Sequence, residues 1–152
     1  MIFALALFAV AVDQPGKICP DPRNSKCVGW TWHDLGFATP KDEVARDEFR
    51  SGTFYAVVLK TIPKCSITRA QLADIQKLFP ANKVFASRMG CESEEGSDEA
   101  ISYTNVNAKV GFIAVYAGAT PAQAAEFLKR VNATGKYPGA NVRKMQAVLV
   151  YP

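Results

Sequence analysis

Residues 110–151 constrain the fold more tightly than any other stretch of the chain. Thr120 stands where a helix N-cap is needed, Pro121 suits the first helical position, and Gln123 is spaced to reach back to the Thr120 amide as a capping box. Ala124, Phe127, Leu128 and Val131 then recur at helical spacing as one apolar stripe, with Glu126, Lys129 and Arg130 off it. Gly135 ends the helix. The flanking runs, residues 110–117 and 141–151, are rich in Val, Ile, Phe and Tyr and bounded by Gly and Pro. They are too short for buried helices and predict strands. The unit is β-α-β.

A second unit of the same kind lies upstream. Residues 53–62 and 83–89 read as strands around a helix that Thr68 caps, Gln71 boxes and Pro80 stops, with Leu72, Ile75 and Phe79 as its buried stripe. Ile67 can staple against Leu72. The two units echo each other: Thr68-Arg69-Ala70-Gln71 matches Thr120-Pro121-Ala122-Gln123, and Pro80-Ala81-Asn82-Lys83-Val84 parallels Pro138-Gly139-Ala140-Asn141-Val142. A β-α-β-β-α-β order predicts an α+β fold of the ferredoxin-like split βαβ kind, a four-stranded antiparallel sheet with two helices on one face.

The rest of the chain divides around this domain, residues 53–152. Residues 1–12 form a continuous apolar segment without a basic start, and Ala9-Val10-Ala11 offers a small-residue cleavage site. Two readings stand: a secretory signal peptide, or a retained segment whose Ile2, Phe3, Leu5, Leu7, Phe8 and Val10 are buried against a neighbouring copy. Twelve residues are too few for a transmembrane span, which needs about 20. Residues 13–52 form an arm punctuated by Pro and Gly, in which Thr39-Pro40-Lys41-Asp42 predicts a short surface helix to about Arg50. Residues 90–109 are an acidic insertion carrying Glu92, Glu94, Glu95, Asp98 and Glu99, and residues 101–106 are expected to extend the strand that follows. It lacks the ligand spacing of a calcium loop and reads as solvated.

Four cysteines allow three connectivities. Cys65 follows the first strand and Cys91 the second, which run in the same direction, so both reach the same end of the sheet and are expected to bridge. Cys19 and Cys27 remain as the pair of the arm. With the apolar start, such bonds place the protein outside the cytoplasm, extracellular or at the periplasmic or cell surface. Cys19, Cys27 and His33 lack the fourth ligand and the spacing of a zinc site. Asn132-Ala133-Thr134 is an N-glycosylation triplet.

Chemistry is sparsely written in this chain. His33 beside Asp34 is the only histidine, and no nucleophile motif, acid pair or metal constellation accompanies it. Neither an enzyme nor a cofactor is expected. The net charge of +4 comes from scattered basic residues without interleaved aromatics, which argues against nucleic acid. Trp30 and Trp32 sit two apart and are expected to cover an apolar surface.

Strand alternation carries the functional expectation. The first strand divides into Phe54, Ala56, Val58 and Lys60 on one face and Tyr55, Val57 and Leu59 on the other. The last divides into Lys144 and Gln146 against Met145, Ala147 and Leu149. The helices are expected to cover the purely apolar sets, yet the face left open is itself rich in Val, Phe and Tyr116. An antiparallel sheet facing water alternates more cleanly. That face is therefore expected to pack against the arm, a neighbouring copy or a ligand.

Phe112-Ile113-Ala114-Val115-Tyr116-Ala117-Gly118, followed by the capped helix of residues 120–131, resembles the SPOR family of sporulation-related repeat domains. Tyr55-Ala56-Val57-Val58-Leu59 is similar to that family's first strand, although Val58 and Lys60 stand where the family carries Gln and Gly. The resemblance spans residues 53–152. It implies the β-α-β-β-α-β fold and binding of peptidoglycan glycan on the open sheet face, with Lys60, Phe112, Tyr116 and Lys144 as contacts. Two functions follow. The first is a non-enzymatic structural protein that self-assembles as a homo-oligomer or filament through residues 1–12 and the open face. The alternative is a SPOR-like module that binds cell-wall glycan.

Overall fold

The structure, a computed structural model, describes residues 17–18, 32–38, 48–88, 90–91 and 101–150. Two short strands of the arm, β1 (Lys17–Ile18) and β2 (Phe37–Ala38), pair antiparallel. They are followed by β3 (Glu48–Arg50), β4 (Phe54–Ile62), α1 (Arg69–Leu78), β5 (Val84–Ser87), β6 (Ile101–Tyr103), β7 (Gly111–Gly118), α2 (Pro121–Ala133), β8 (Asn141–Met145) and β9 (Ala147–Val150). The fold is α+β. A four-stranded antiparallel sheet in the order β5-β7-β4-β8 forms its centre.

Both helices start where their caps dictate. In α1, the Thr68 hydroxyl accepts from the Gln71 amide at 3.2 Å while Gln71 Oε1 accepts from the Thr68 amide at 3.0 Å. In α2, the same exchange links Thr120 and Gln123, and Gln123 Oε1 also accepts from the Ala119 amide at 2.8 Å. Gly118 makes room for this cap. Its φ is +139°, and a Cβ there would come within 2.5 Å of Gln123 Cβ. At the far end of α1, Gln76 donates to the Phe79 and Asn82 carbonyls and accepts from the Val84 amide, which stitches the helix to β5.

The helices pack on one face of the sheet. Leu72, Ile75 and Phe79 from α1 and Ala124, Phe127 and Val131 from α2 share a cluster with Val57, Leu59, Val84, Ile113 and Val115. Each fully buried side chain of this size stabilises by about 1.5–3 kcal/mol, so the amphipathic stripes account for the docking.

The opposite face is covered by the chain itself. β3, β9 and β6 form a second antiparallel sheet in that order. Its Ile101, Tyr103, Ala147 and Leu149 join Phe54, Ala56, Val58, Phe85, Phe112 and Ala114 in a second buried cluster. The aromatic rings interlock: Phe85 meets Tyr103 at 5.0 Å between centroids, and Phe112 stands edge-on to both. Leu35 of the arm, fully buried, fills the same cluster and donates its amide to the Tyr103 hydroxyl at 3.0 Å. The face expected to stay open is thus largely filled from within.

The structure departs from the sequence expectations at four places. Glu48–Arg50, assigned to the end of a short helix, is a strand paired with β9, because backbone pairing outweighs the thin apolar edge that Val44 and Phe49 could give a helix; residues 39–47 lie outside the described residues. Residues 101–106 do not extend β7. Ile101–Tyr103 is a strand of the second sheet, separated from β7 by a loop. The last strand changes sheets at Gln146, whose amide donates to Thr104 Oγ1 at 2.8 Å and whose side chain donates to the Ser51 carbonyl at 3.1 Å. Finally, Met145, Ala147 and Leu149 pack between the sheets rather than under the helices.

Among the described residues no helix is long and apolar enough to cross a membrane.

Candidate functional site

The second sheet leaves part of the central sheet's face uncovered, next to the loop joining β6 to β7. There a cleft of about 390 Å³ opens. Val58 and Phe112 form its floor, Val106 and Val110 one apolar wall, and Thr61, Asn105, Asn107, Asn141 and Arg143 its polar lining.

Each element places its residue for a local reason. On β8, Asn141 and Arg143 pair with Val58 and Ala56 of β4 and therefore share their face, the one directed at the second sheet. Arg143 Nε donates to Asn141 Oδ1 at 2.8 Å. Asn105 holds φ at 58°, a left-handed conformation that asparagine tolerates better than most residues, and its side-chain amide donates to the Lys144 carbonyl at 3.2 Å. The loop is thereby tied across the cleft to β8. Asn107 Oδ1 caps the turn by accepting from the Lys109 amide at 2.9 Å. At the cleft's end, Gly111 approaches Lys64 so closely that a Cβ would lie 2.8 Å from its Cα.

The four sheet-face residues expected from the sequence do not form one site. Phe112 is 2% exposed and belongs to the core between the sheets, offering the cleft only an edge. Tyr116 shares that face but is half-buried, stacked on Phe54 at 5.9 Å, and burial pushes its phenol pKa up. Lys144 pairs with Tyr55 and so lies on the helix side of the sheet. Lys60 is displaced by a register shift after Val58: it pairs with Ile113, again a helix-side residue. A bulge cannot be read from alternation alone, and it reverses the face of every residue beyond it.

Asn105, Asn107, Asn141 and Arg143 were not singled out as binding residues by the sequence. The Asn-Val-Asn of residues 105–107 and the polar positions of β8 are the signals that could have found them.

A second cluster surrounds the arm. His33 is buried, with Nδ1 3.3 Å from the Ala86 carbonyl and 3.4 Å from Asp34 Oδ1, and its own carbonyl accepts from the Ala86 amide at 2.8 Å. Burial, and then the nearby Arg88 and Lys83 charges, lower its pKa to about 4, against the partial compensation of the Ala86 hydrogen bond. Burial likewise lowers the Lys83 pKa, and Asp34 opposes that shift. Trp32 lies 5.2 Å from the Arg88 guanidinium and 5.8 Å from that of Arg69. Neutral His33 therefore serves to lay the arm along the β5 edge.

Cys65 and Cys91 are disulfide-bonded, with Cα atoms 5.6 Å apart, and join the turn after β4 to the segment after β5. Cys19, Cys27, Trp30 and the assembly residues Ile2, Phe3, Leu5, Leu7, Phe8 and Val10 lie outside the described residues, as do Glu92–Glu99 of the acidic insertion. Asn132 is exposed in the last turn of α2, and the Thr134 hydroxyl donates to the Val131 carbonyl at 2.7 Å. Among the described residues no group of three or more His, Cys, Asp or Glu side chains could hold a metal.

No family model matches the chain, and neither the curated proteins nor the solved structures give a match.

Proposed function

We propose that this protein is a non-enzymatic extracytoplasmic binding module that engages a cell-wall glycan strand in the cleft beneath the β6–β7 loop. The observation that carries this reading is the lining itself: three asparagine amides, a threonine hydroxyl and a guanidinium around an apolar floor. Amides offer both donors and acceptors, which suits sugar hydroxyls, while Val58, Val106 and Val110 can meet the C–H face of a ring. The strand order β5-β7-β4-β8, with β-α-β connections on both sides, reads as the ferredoxin-like split βαβ arrangement. The cleft lies on the face opposite the helices, where the SPOR resemblance puts glycan. The Cys65–Cys91 disulfide supports an oxidising compartment.

Co-sedimentation with purified peptidoglycan sacculi tests the reading. The protein is expected in the pellet, and Asn105→Ala together with Asn141→Ala is expected to return it to the supernatant without loss of fold by circular dichroism. Wild-type protein left in the supernatant overturns the proposal.

A second reading, self-assembly, rests on the apolar run of residues 1–12. Burying those side chains on a neighbouring copy would remove a large apolar surface from water. Sedimentation velocity of the chain with and without residues 1–12 is expected to show polymer and monomer respectively. Unchanged polymer after deletion eliminates that segment as the contact.

A further inference from the structure

We infer that the ligand of the cleft carries a carboxylate, and that Arg143 is the residue that recognises it; this rests on the saccharide-binding reading above. Arg143 is exposed at the rim and lines the cleft. Its Nε is committed to Asn141 Oδ1 at 2.8 Å, a contact that sets the plane of the guanidinium. Among the described residues it makes no ion pair, in common with the exposed Lys109, Arg130, Lys136 and Lys144; what sets it apart from them is its place in the lining of the cleft. Among the described residues no acidic side chain lines the cleft. A guanidinium held by its Nε and without an ion pair among the described residues, over a partly apolar hollow, is the arrangement that a planar, two-oxygen anion completes, because the terminal amino groups of the fork can meet both oxygens at once.

The neighbouring groups favour a carboxylate on a sugar over one on a peptide. Asn105, Asn107, Asn141 and Thr61 surround Arg143 with short polar side chains suited to a dense array of hydroxyls. Asn105 is also held in place from behind by its bond to the Lys144 carbonyl, so this wall is ordered before a ligand arrives and less entropy is lost on binding. Arg143 then selects among glycans, and the asparagines hold the ring.

The test is calorimetric titration of the full chain with solubilised wall glycan, with the same glycan after its carboxylates are reduced to alcohols, and with polyglutamate. Native glycan is expected to bind, the reduced form at least about tenfold more weakly, since a hydrogen-bonded charge contact is worth that much or more. Polyglutamate is expected not to bind. Arg143→Gln should lose the preference, taking native and reduced glycan alike. Arg143→Lys should keep part of it, because the charge survives and the fork does not. Arg143 sits on an edge strand with an exposed side chain, so both variants should melt as the wild type does. Equal binding of native and reduced glycan overturns the inference while leaving the saccharide reading in place. Polyglutamate binding as tightly as glycan overturns it by reducing recognition to charge. If neither glycan binds, the saccharide reading fails and the inference with it.

Discussion

His33 shows how a residue that looks chemical can be structural. A histidine next to an aspartate suggests a base and its orienting partner, but here the imidazole is 3% exposed and its Nδ1 faces the Ala86 carbonyl. Burial lowers its pKa from 6.5 to about 4, with Arg88 and Lys83 acting in the same direction. The unfolded chain therefore takes up a proton near pH 6.5, while the folded protein resists protonation until near pH 4. Stability is full above pH 6.5 and falls as the pH drops towards 4, by up to about 3 kcal/mol from this group. Urea unfolding of wild type and His33→Gln at pH 7.5 and pH 4.5 measures it: the wild type should lose about 2 kcal/mol more than the variant across that interval. Equal losses would show that His33 is already solvated in the folded state. At the cleft the difficulty for sequence reading was different. Asn105 and Arg143 are ordinary polar residues in a string, and only the left-handed turn at Asn105 and the register of β8 bring them over Val58 and Phe112.

Elements were legible wherever local chemistry decides them. Both capping boxes were written out as Thr-x-x-Gln, and both formed. Leu72, Ile75, Phe127 and Val131 lay on the buried stripes that their spacing predicts. The Cys65–Cys91 bond followed from strand direction alone. The second sheet was not legible, since its strands are three or four residues long and their pairing is entirely long-range. β9 needed partners from residues 48–50, which read locally as helix, and from residues 101–103, whose strand character was legible but whose partner was not. The excess of apolar residues on the open face did signal that something must cover it. What the alternation could not supply was the identity of the cover, or the bulge near Val58 that moved Lys60 to the helix side. Gln146 is the pivot of the whole arrangement. Bracketed by Ser51 on one side and Thr104 on the other, it lets one continuous strand leave β4 and become the centre of a new sheet.

At the scale of the molecule, β4 and β7 serve two cores at once. Val57, Leu59, Ile113 and Val115 face the helices, and Phe54, Ala56, Val58, Phe112 and Ala114 face the second sheet. Neither core can be lost without exposing one side of the strands that complete the other. This shared layer predicts one cooperative unfolding transition instead of a stepwise loss of the covering sheet. Two substitutions on opposite sides test it. Phe127→Ala removes a ring that is 1% exposed and packed at 5.5 Å against Phe79, and should cost about 3–5 kcal/mol. Leu149→Ala opens a hole between the sheets, where the side chain is fully buried, and should cost about 2–5 kcal/mol. Each should lower the midpoint of the same transition, followed identically by far-ultraviolet dichroism for the helices and near-ultraviolet dichroism for the aromatic cluster of Phe85, Tyr103 and Phe112. Should Leu149→Ala melt the aromatic signal while helical dichroism persists, the covering sheet would be a separable unit and the cleft beside it a movable one. A single coincident transition in both variants means instead that the cleft's floor and its β6–β7 roof are fixed by the same folding event. A ligand would then meet a preformed site.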